Sequence, residues 1–236
     1  NHPPQRLESF GLIWDVMRKM NPGLVYTSIT PYGRTGPRAD VKGDELTIIH
    51  AGGLGNLMPV RVSDVDRAPV KMGGYAVGYH GGLTAAVATL GAILGRLKTG
   101  RGQLIDISLQ EVILALMRVN VTSNRYHRTR WCRVPDRPPA LGRLKASDGY
   151  IVVGVIEDHH WRAFRDLMGT PEWAAGPEWE SLYYRTHHLM EIAPLIDDWM
   201  LKQKKEEIHH KGAKKGIPMG PINSAKEIME NEQYAA

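Results

Sequence analysis

Residues 82–108 read GLTAAVATLGAILGRLKTGRGQLIDIS. Leu83, Ala86, Val87, Leu90, Ile93, Leu94 and Leu97 fall on i, i+3, i+4, i+7 spacing, which predicts a helix, and the small residues between them suit close packing on a sheet. Lys98-Thr99-Gly100-Arg101-Gly102 closes it, with a basic residue in the last turn and glycines free to take the positive φ of a helix end. Gln103 to Ser108 alternates as a strand with Ile105 and Ile107 on one face, and Leu109 to Met117 reads as another helix. Working outward, Leu12, Ile13, Val16 and Met17 recur at helical spacing until Asn21-Pro22-Gly23 ends the run, and Leu24 to Ile29 is a short apolar strand. Then comes Pro31-Tyr32-Gly33-Arg34-Thr35-Gly36-Pro37, a loop of the kind that sits at the carboxyl end of a strand in an α/β sheet. Strand, helix, strand, helix with short connections predicts an α/β fold with a parallel, doubly wound sheet.

Beyond residue 120 the character changes. Residues 121–144 are rich in Arg and Pro, with Pro135, Pro138 and Pro139, and read as a linker arm rather than a helix face. Gly149 to Val155 is a buried strand, Asp158 to Met168 a helix with Trp161, Phe164 and Leu167 at its apolar positions, and Leu189 to Leu201 a second amphipathic helix. Four of the six tryptophans lie between Trp161 and Trp199, as a smaller, separate core requires. The expected division is therefore a larger domain over 1–120, the arm, and a smaller α+β domain over 145–236.

The 236 residues, 42% hydrophobic and 23% charged, bury a substantial core and exclude a disordered or fibrous chain. Cys132, the single cysteine, forms no internal disulfide and no multi-thiolate metal site, so a reducing compartment, the cytoplasm by default, is expected. The longest apolar stretch, Gly81 to Leu97, contains Thr84 and Thr89 and is rich in Gly and Ala, so it is not expected to be a bilayer span. The chain opens on Asn1 rather than Met and is expected to be a fragment. Its net charge of +5 is uneven: residues 118–145 hold eight Lys/Arg against one acid, and residues 201–215 six Lys against two Glu. No zinc finger, RNP-type or basic-zipper pattern accompanies these stretches, so nucleic acid is not the expected partner. A basic arm equally suits an acidic partner subunit or a polyanionic cofactor.

No phosphate loop, H-E-x-x-H or G-x-S-x-G is present. The pairs His159-His160, His187-His188 and His209-His210 point about 100° apart on a helix and read as surface or capping residues, so no metal is expected. What remains is the run Gly73-Gly74-Tyr75-Ala76-Val77-Gly78-Tyr79-His80-Gly81-Gly82 at the start of the Leu83 helix. A helix N-terminus reached through glycines is a prepared site for an anion or a thioester carbonyl, and a tight turn is the alternative.

Several motifs agree in order and spacing: Asn21-Pro22 before a strand and a G-x-x-x-G-P loop, Thr99-Gly100-Arg101-Gly102-Gln103, and Gly216-Ile217-Pro218-Met219-Gly220-Pro221-Ile222. The set resembles the family III CoA-transferases, which include formyl-CoA:oxalate and carnitine CoA-transferases and the α-methylacyl-CoA racemases. The resemblance covers essentially all 236 residues but only the middle of a family chain. It implies a partial Rossmann-like large domain over residues 1–120, a small domain over 145–236, and an interlocked dimer whose ring includes the arm. It also implies acyl-CoA and a carboxylic acid as substrates. Counting back from Thr99-Gly100, the family's nucleophilic Asp falls at Gly78, so Glu45 and His80 become the nearest catalytic candidates. Lys42, Gly78, Tyr79 and Gly81 are the implied CoA-binding positions. The readings that follow are a CoA-transferase using another group, a non-catalytic subunit that pairs as a heterodimer with an Asp-bearing paralogue, or an acyl-CoA racemase or lyase on the same scaffold.

Overall fold

A computed structural model describes residues 2, 4–62, 64–135 and 142–235. Pro138 and Pro139 of the expected arm lie outside the described residues. The chain forms two compact units, residues 1–136 and 137–236.

The first unit runs α1 (Pro4–Ser9), α2 (Trp14–Met20), β1 (Tyr26–Thr30), α3 (Glu45–Ala51), a 3-10 turn (Leu54–Leu57), β2 (Arg61–Val62), α4 (Ala76–Thr99), β3 (Leu104–Ser108), α5 (Leu109–Leu116), α6 (Arg118–His127) and β4 (Val134–Pro135). β1 and β3 pair in parallel, Tyr26 opposite Leu104 through Thr30 opposite Ser108, and the pair β2 and β4 is also parallel. The α/β class with a parallel sheet is as expected.

The two sequence signals at the near end of this sheet are structural partners. Gly100 ends α4 at φ 68° with its N–H on the Arg96 carbonyl, the Gly102 N–H donates to the Pro22 carbonyl at 2.8 Å, and the Tyr26 N–H to the Gln103 carbonyl at 2.9 Å. Arg96 donates to the Gly23 carbonyl at 3.1 Å. A side chain at residue 102 would collide with the Leu24 backbone, so glycine is required there by close approach. The Asn21-Pro22-Gly23 turn and the Lys98–Gln103 segment thus splice the parallel strands together.

Three expectations are corrected. α4 begins at Ala76, not near Gly82, so Gly78, Gly81 and Gly82 are helical residues rather than parts of a loop. Its buried face is Ala76, Val77, Gly81, Ala85 and Ala92, while Leu83, Val87, Leu90, Leu94 and Leu97 are 62–75% exposed. Small side chains let the α4 backbone come close to β1 and α5: Thr89 hydrogen-bonds Thr27 at 2.6 Å, and a Cβ at Gly81 would run into Leu109. At 24 residues, α4 has the length and apolar composition of a membrane span, which the shorter stretch read from sequence lacks; its small face packs instead on the sheet and α5. Finally, residues 118–127, where the arm was expected to begin, are helical, because the prolines that forbid a helix start only at 135.

The second unit is β5 (Gly142–Ala146), β6 (Gly149–Val153), α7 (Asp158–Leu167), two 3-10 turns (Glu172–Ala174 and Pro177–Glu180), α8 (Leu182–His187), α9 (Leu189–Met200), α10 (Lys205–Lys214), β7 (Met219–Ile222), α11 (Ala225–Met229) and α12 (Glu232–Ala235). β6 is the central strand of an antiparallel three-stranded sheet, β5-β6-β7. Its inward residues Ile151 and Val153 meet Trp161 and Phe164 of α7 and Ile192, Ile196 and Met200 of α9, the larger of the two apolar cores.

Lys205, 4% exposed, is one of two buried cations among the described residues of this unit, with Arg185; its ammonium pairs with Glu227 and donates to the Ile222 carbonyl at 3.3 Å. Glu227 also accepts from the Ser224 N–H and hydroxyl, closing a capping box on α11. The Lys205 hydrogen bond first, then those from Ser224, lower the Glu227 carboxyl from its ordinary 4.5 to about 2. A carboxyl whose pKa falls on folding adds stability that is complete above its unfolded value and lost as it protonates. Acid titration followed by circular dichroism is therefore expected to lose stability between pH 4.5 and about 2, and Glu227→Gln to remove that component. An unchanged titration in the variant contradicts the assignment.

Candidate functional site

Glu45 is the first residue of α3, placed there by a capping box in which Asp44 accepts from the Thr47 N–H at 2.8 Å and Thr47 accepts from the Asp44 N–H. The Thr47 backbone and side-chain hydrogen bonds lower the Asp44 pKa. From that position the Glu45 carboxylate crosses to the first turn of α4, accepting from Val77 N–H at 2.8 Å and Gly78 N–H at 3.3 Å. The first N–H groups of a helix have no partner within it and carry the positive end of its dipole, so they stabilise an anion. Here the chain supplies that anion from 32 residues upstream. Lys71 steadies the approach to α4, its ammonium donating to the carbonyls of Met72 at 2.9 Å and Gly74 at 2.7 Å.

Gly78 is the exposed third residue of α4, and a Cβ there would meet only Tyr75 Cβ, at 3.9 Å. Tyr79 is 75% exposed beside it. Gly81, one residue past His80, is buried toward α5, which supplies a packing reason for its lack of a side chain. His80 Nδ1 is 2.7 Å from the Ala76 carbonyl. A carbonyl only accepts, so Nδ1 carries the proton and Nε2 is left as the basic nitrogen. His80 borders a hollow of about 450 Å³ with Asp106, Ser108, Glu111 and Arg118. Lys42 borders a different one, of about 380 Å³, with Thr30, Pro31, Asp40 and Gly43 at the carboxyl end of β1. Glu45 and Gly78 are therefore brought together, while Lys42 and His80 line separate hollows. Two of the three histidine pairs are divided among separate partners, His187 to Tyr183, His188 to Glu191, His209 to Met219 and His210 to Glu206, and in the third His159 faces Glu157 at 3.3 Å.

The model of CoA-transferase family III matches residues 1–236. The chain belongs to CoA-transferase family III. It is 30% identical over 257 residues to the formyl-CoA:oxalate CoA-transferase of Streptomyces avermitilis, covering all of this chain and 61% of the relative. It is 27% identical over 234 residues to the succinyl-CoA–L-malate CoA-transferase beta subunit of Chloroflexus aurantiacus, covering 94% and 56%. Among solved structures, a CAIB/BAIF family protein from Brucella suis superposes with a TM-score of 0.75 at 26% identity, over 100% of this chain and 62% of that one. The family III chain thus spans about three fifths of the length of its relatives.

The residue contact that sequence reasoning missed is the bridge from Glu45 to α4. Asp44-Glu45 carried a local signal, an acidic pair before an apolar segment, but its target lies 32 residues away and no spacing rule connects them. Lys71 carried no signal at all.

Proposed function

We propose that this chain is the acyl-CoA-binding part of a CoA-transferase that moves CoA between carboxylic acids, that Gly78 stands where the family's transferring Asp stands, and that Glu45 is the carboxylate left at the thioester position. The observation that carries the reading is the Glu45 carboxylate on the N–H groups of Val77 and Gly78. Those N–H groups are also the donors that would stabilise the oxyanion of a thioester under attack. In the transfer, a Glu45 oxygen attacks the thioester carbon and the CoA thiolate leaves, giving a mixed anhydride. The thiolate then attacks the glutamyl carbonyl, releasing the donor acid and leaving a glutamyl-CoA thioester. The acceptor carboxylate attacks that thioester to form a second anhydride, from which the thiolate takes the new acyl group and regenerates Glu45.

Incubation with succinyl-CoA, trapping with hydroxylamine and mass spectrometry is expected to place a hydroxamate on Glu45. A chain that binds succinyl-CoA but gives no adduct overturns the role of Glu45. It would favour a second reading, supported by the relative named as a beta subunit: a subunit silent alone, paired with an Asp-bearing paralogue, and active only on co-expression.

Lys42 supports the binding half of the proposal, as an exposed ammonium on the rim of the β1 hollow that suits a phosphate of CoA. Lys42→Ala is expected to weaken CoA about 3- to 10-fold, with a shallower salt dependence, in a fluorescence or calorimetric titration. Unchanged affinity would move the CoA site elsewhere.

A further inference from the structure

The short β2–β4 ladder builds a second pocket that the transfer chemistry does not use. Pairing of Val62 with Pro135 holds the chain just after Arg133 against the loop that follows β2. The Arg133 guanidinium is anchored there by Nη2, which donates to the Val65 carbonyl at 2.9 Å. Its other terminal nitrogen, Nη1, is buried with no hydrogen-bond partner among the described residues. A buried guanidinium nitrogen without an acceptor is uncommon, because the lost hydration is not replaced. Arg133 borders a hollow of about 370 Å³, whose remaining polar lining is Arg67 and Asp64 and whose walls are Pro59, Val62, Ala68 and Val70. Asp64 turns one oxygen to its own loop, accepting from the Asp66 N–H at 3.0 Å. Arg67 is exposed and has no partner among the described residues.

We propose that this hollow binds a small organic monocarboxylate, its carboxylate between Arg67 and Arg133 and its short carbon chain against the apolar wall. The two guanidinium groups and one carboxylate leave a single net positive charge, which one carboxylate neutralises. A phosphate dianion would leave charge uncompensated beside four apolar side chains. The planar fork of arginine matches the two oxygens of a carboxylate, and the Val65 contact holds the Arg133 fork in place before the ligand arrives. The pocket shares no lining residue with the Lys42 hollow, so the inference rests on its own lining and not on the transferase reading.

Titration calorimetry of the full chain with butyrate, with inorganic phosphate as the contrasting anion, tests it. Saturable binding of one butyrate per chain is expected, tighter than phosphate. Arg67→Gln, at an exposed position that does not threaten folding, is expected to weaken butyrate about 10-fold, and Arg133→Lys, which keeps the charge but loses the fork, by a similar factor. The proposal is overturned by a folded chain that shows no saturable butyrate binding, by phosphate binding more tightly, or by an Arg67→Gln chain that binds butyrate as the parent does. Succinyl-CoA binding measured alongside separates the two proposals, since either ligand binds or fails independently of the other.

Discussion

Gly78→Asp is expected to turn the first turn of α4 into an efficient acyl acceptor, raising adduct formation from succinyl-CoA by about 10²-fold or more, the scale on which one positioned catalytic group acts. Position 78 has ordinary helical backbone and open space: a Cβ there would touch only Tyr75 Cβ, at 3.9 Å. The new carboxylate would stand at the third residue of the helix, where a negative charge is stabilised by the dipole and the free N–H groups. Replacing a helical glycine adds a further few tenths of a kcal/mol, about 0.3–0.5, from propensity. Opposing this is Glu45, whose Oε2 lies 3.3 Å from the Gly78 nitrogen, so two carboxylates would share one helix end. The variant is therefore expected to fold with near-parent stability and to carry its hydroxamate on residue 78 after trapping. A folded Gly78→Asp chain that binds succinyl-CoA yet is trapped no faster than the parent would show that this turn is not where the thioester sits.

The largest loss of stability is expected at Arg185, which is only 1% exposed. Its Nη1 donates to the carbonyls of Trp179 and Glu180, both at 2.7 Å, and its Nη2 to Asp158 at 3.1 Å. Its Cζ lies 5.2 Å from the centre of the Trp161 ring. One planar group thus ties the start of α7 to the 3-10 turn at 177–180 and to α8, a task no aliphatic side chain performs. Arg185→Ala leaves two carbonyls within the fold without their donor while Asp158, 56% exposed, stays in water, and is expected to cost about 2–4 kcal/mol. Arg185→Lys keeps the charge but not the fork, and most of the loss should remain. Urea unfolding followed by tryptophan fluorescence reads this directly, because Trp161 and Trp179 surround the site. A loss below about 1 kcal/mol would mean that water replaces the arginine without penalty.

Much of the fold was legible. The helix spacing through Leu83–Leu97, the alternation of Leu104–Ser108 and the tryptophan-rich second core are local patterns, and periodicity reports which residues share a face. What periodicity does not report is which face a neighbour takes. The large apolar residues of α4 share a helical spacing, yet the small ones between them are the buried ones, because Gly81 and Ala85 allow a closer approach than any leucine. The start of α4 was misplaced for a related reason. Glycines at 78, 81 and 82 favour a loop by local propensity, and the helix extends through them to Ala76, where Glu45 takes up the N–H groups of its first turn.

The amino-acid order alone thus determined the α/β class and the succession of most elements, since each follows from residues close along the chain, whereas the need for glycine at 102 comes from the Leu24 backbone far away in sequence. The three-dimensional packing decided where α4 begins, which carboxylate reaches its amino end, and that Lys42 and His80 line different hollows. Those depend on side chains tens of residues apart meeting in space, and the free energy of such a meeting is set by the whole surrounding fold rather than by any local pattern.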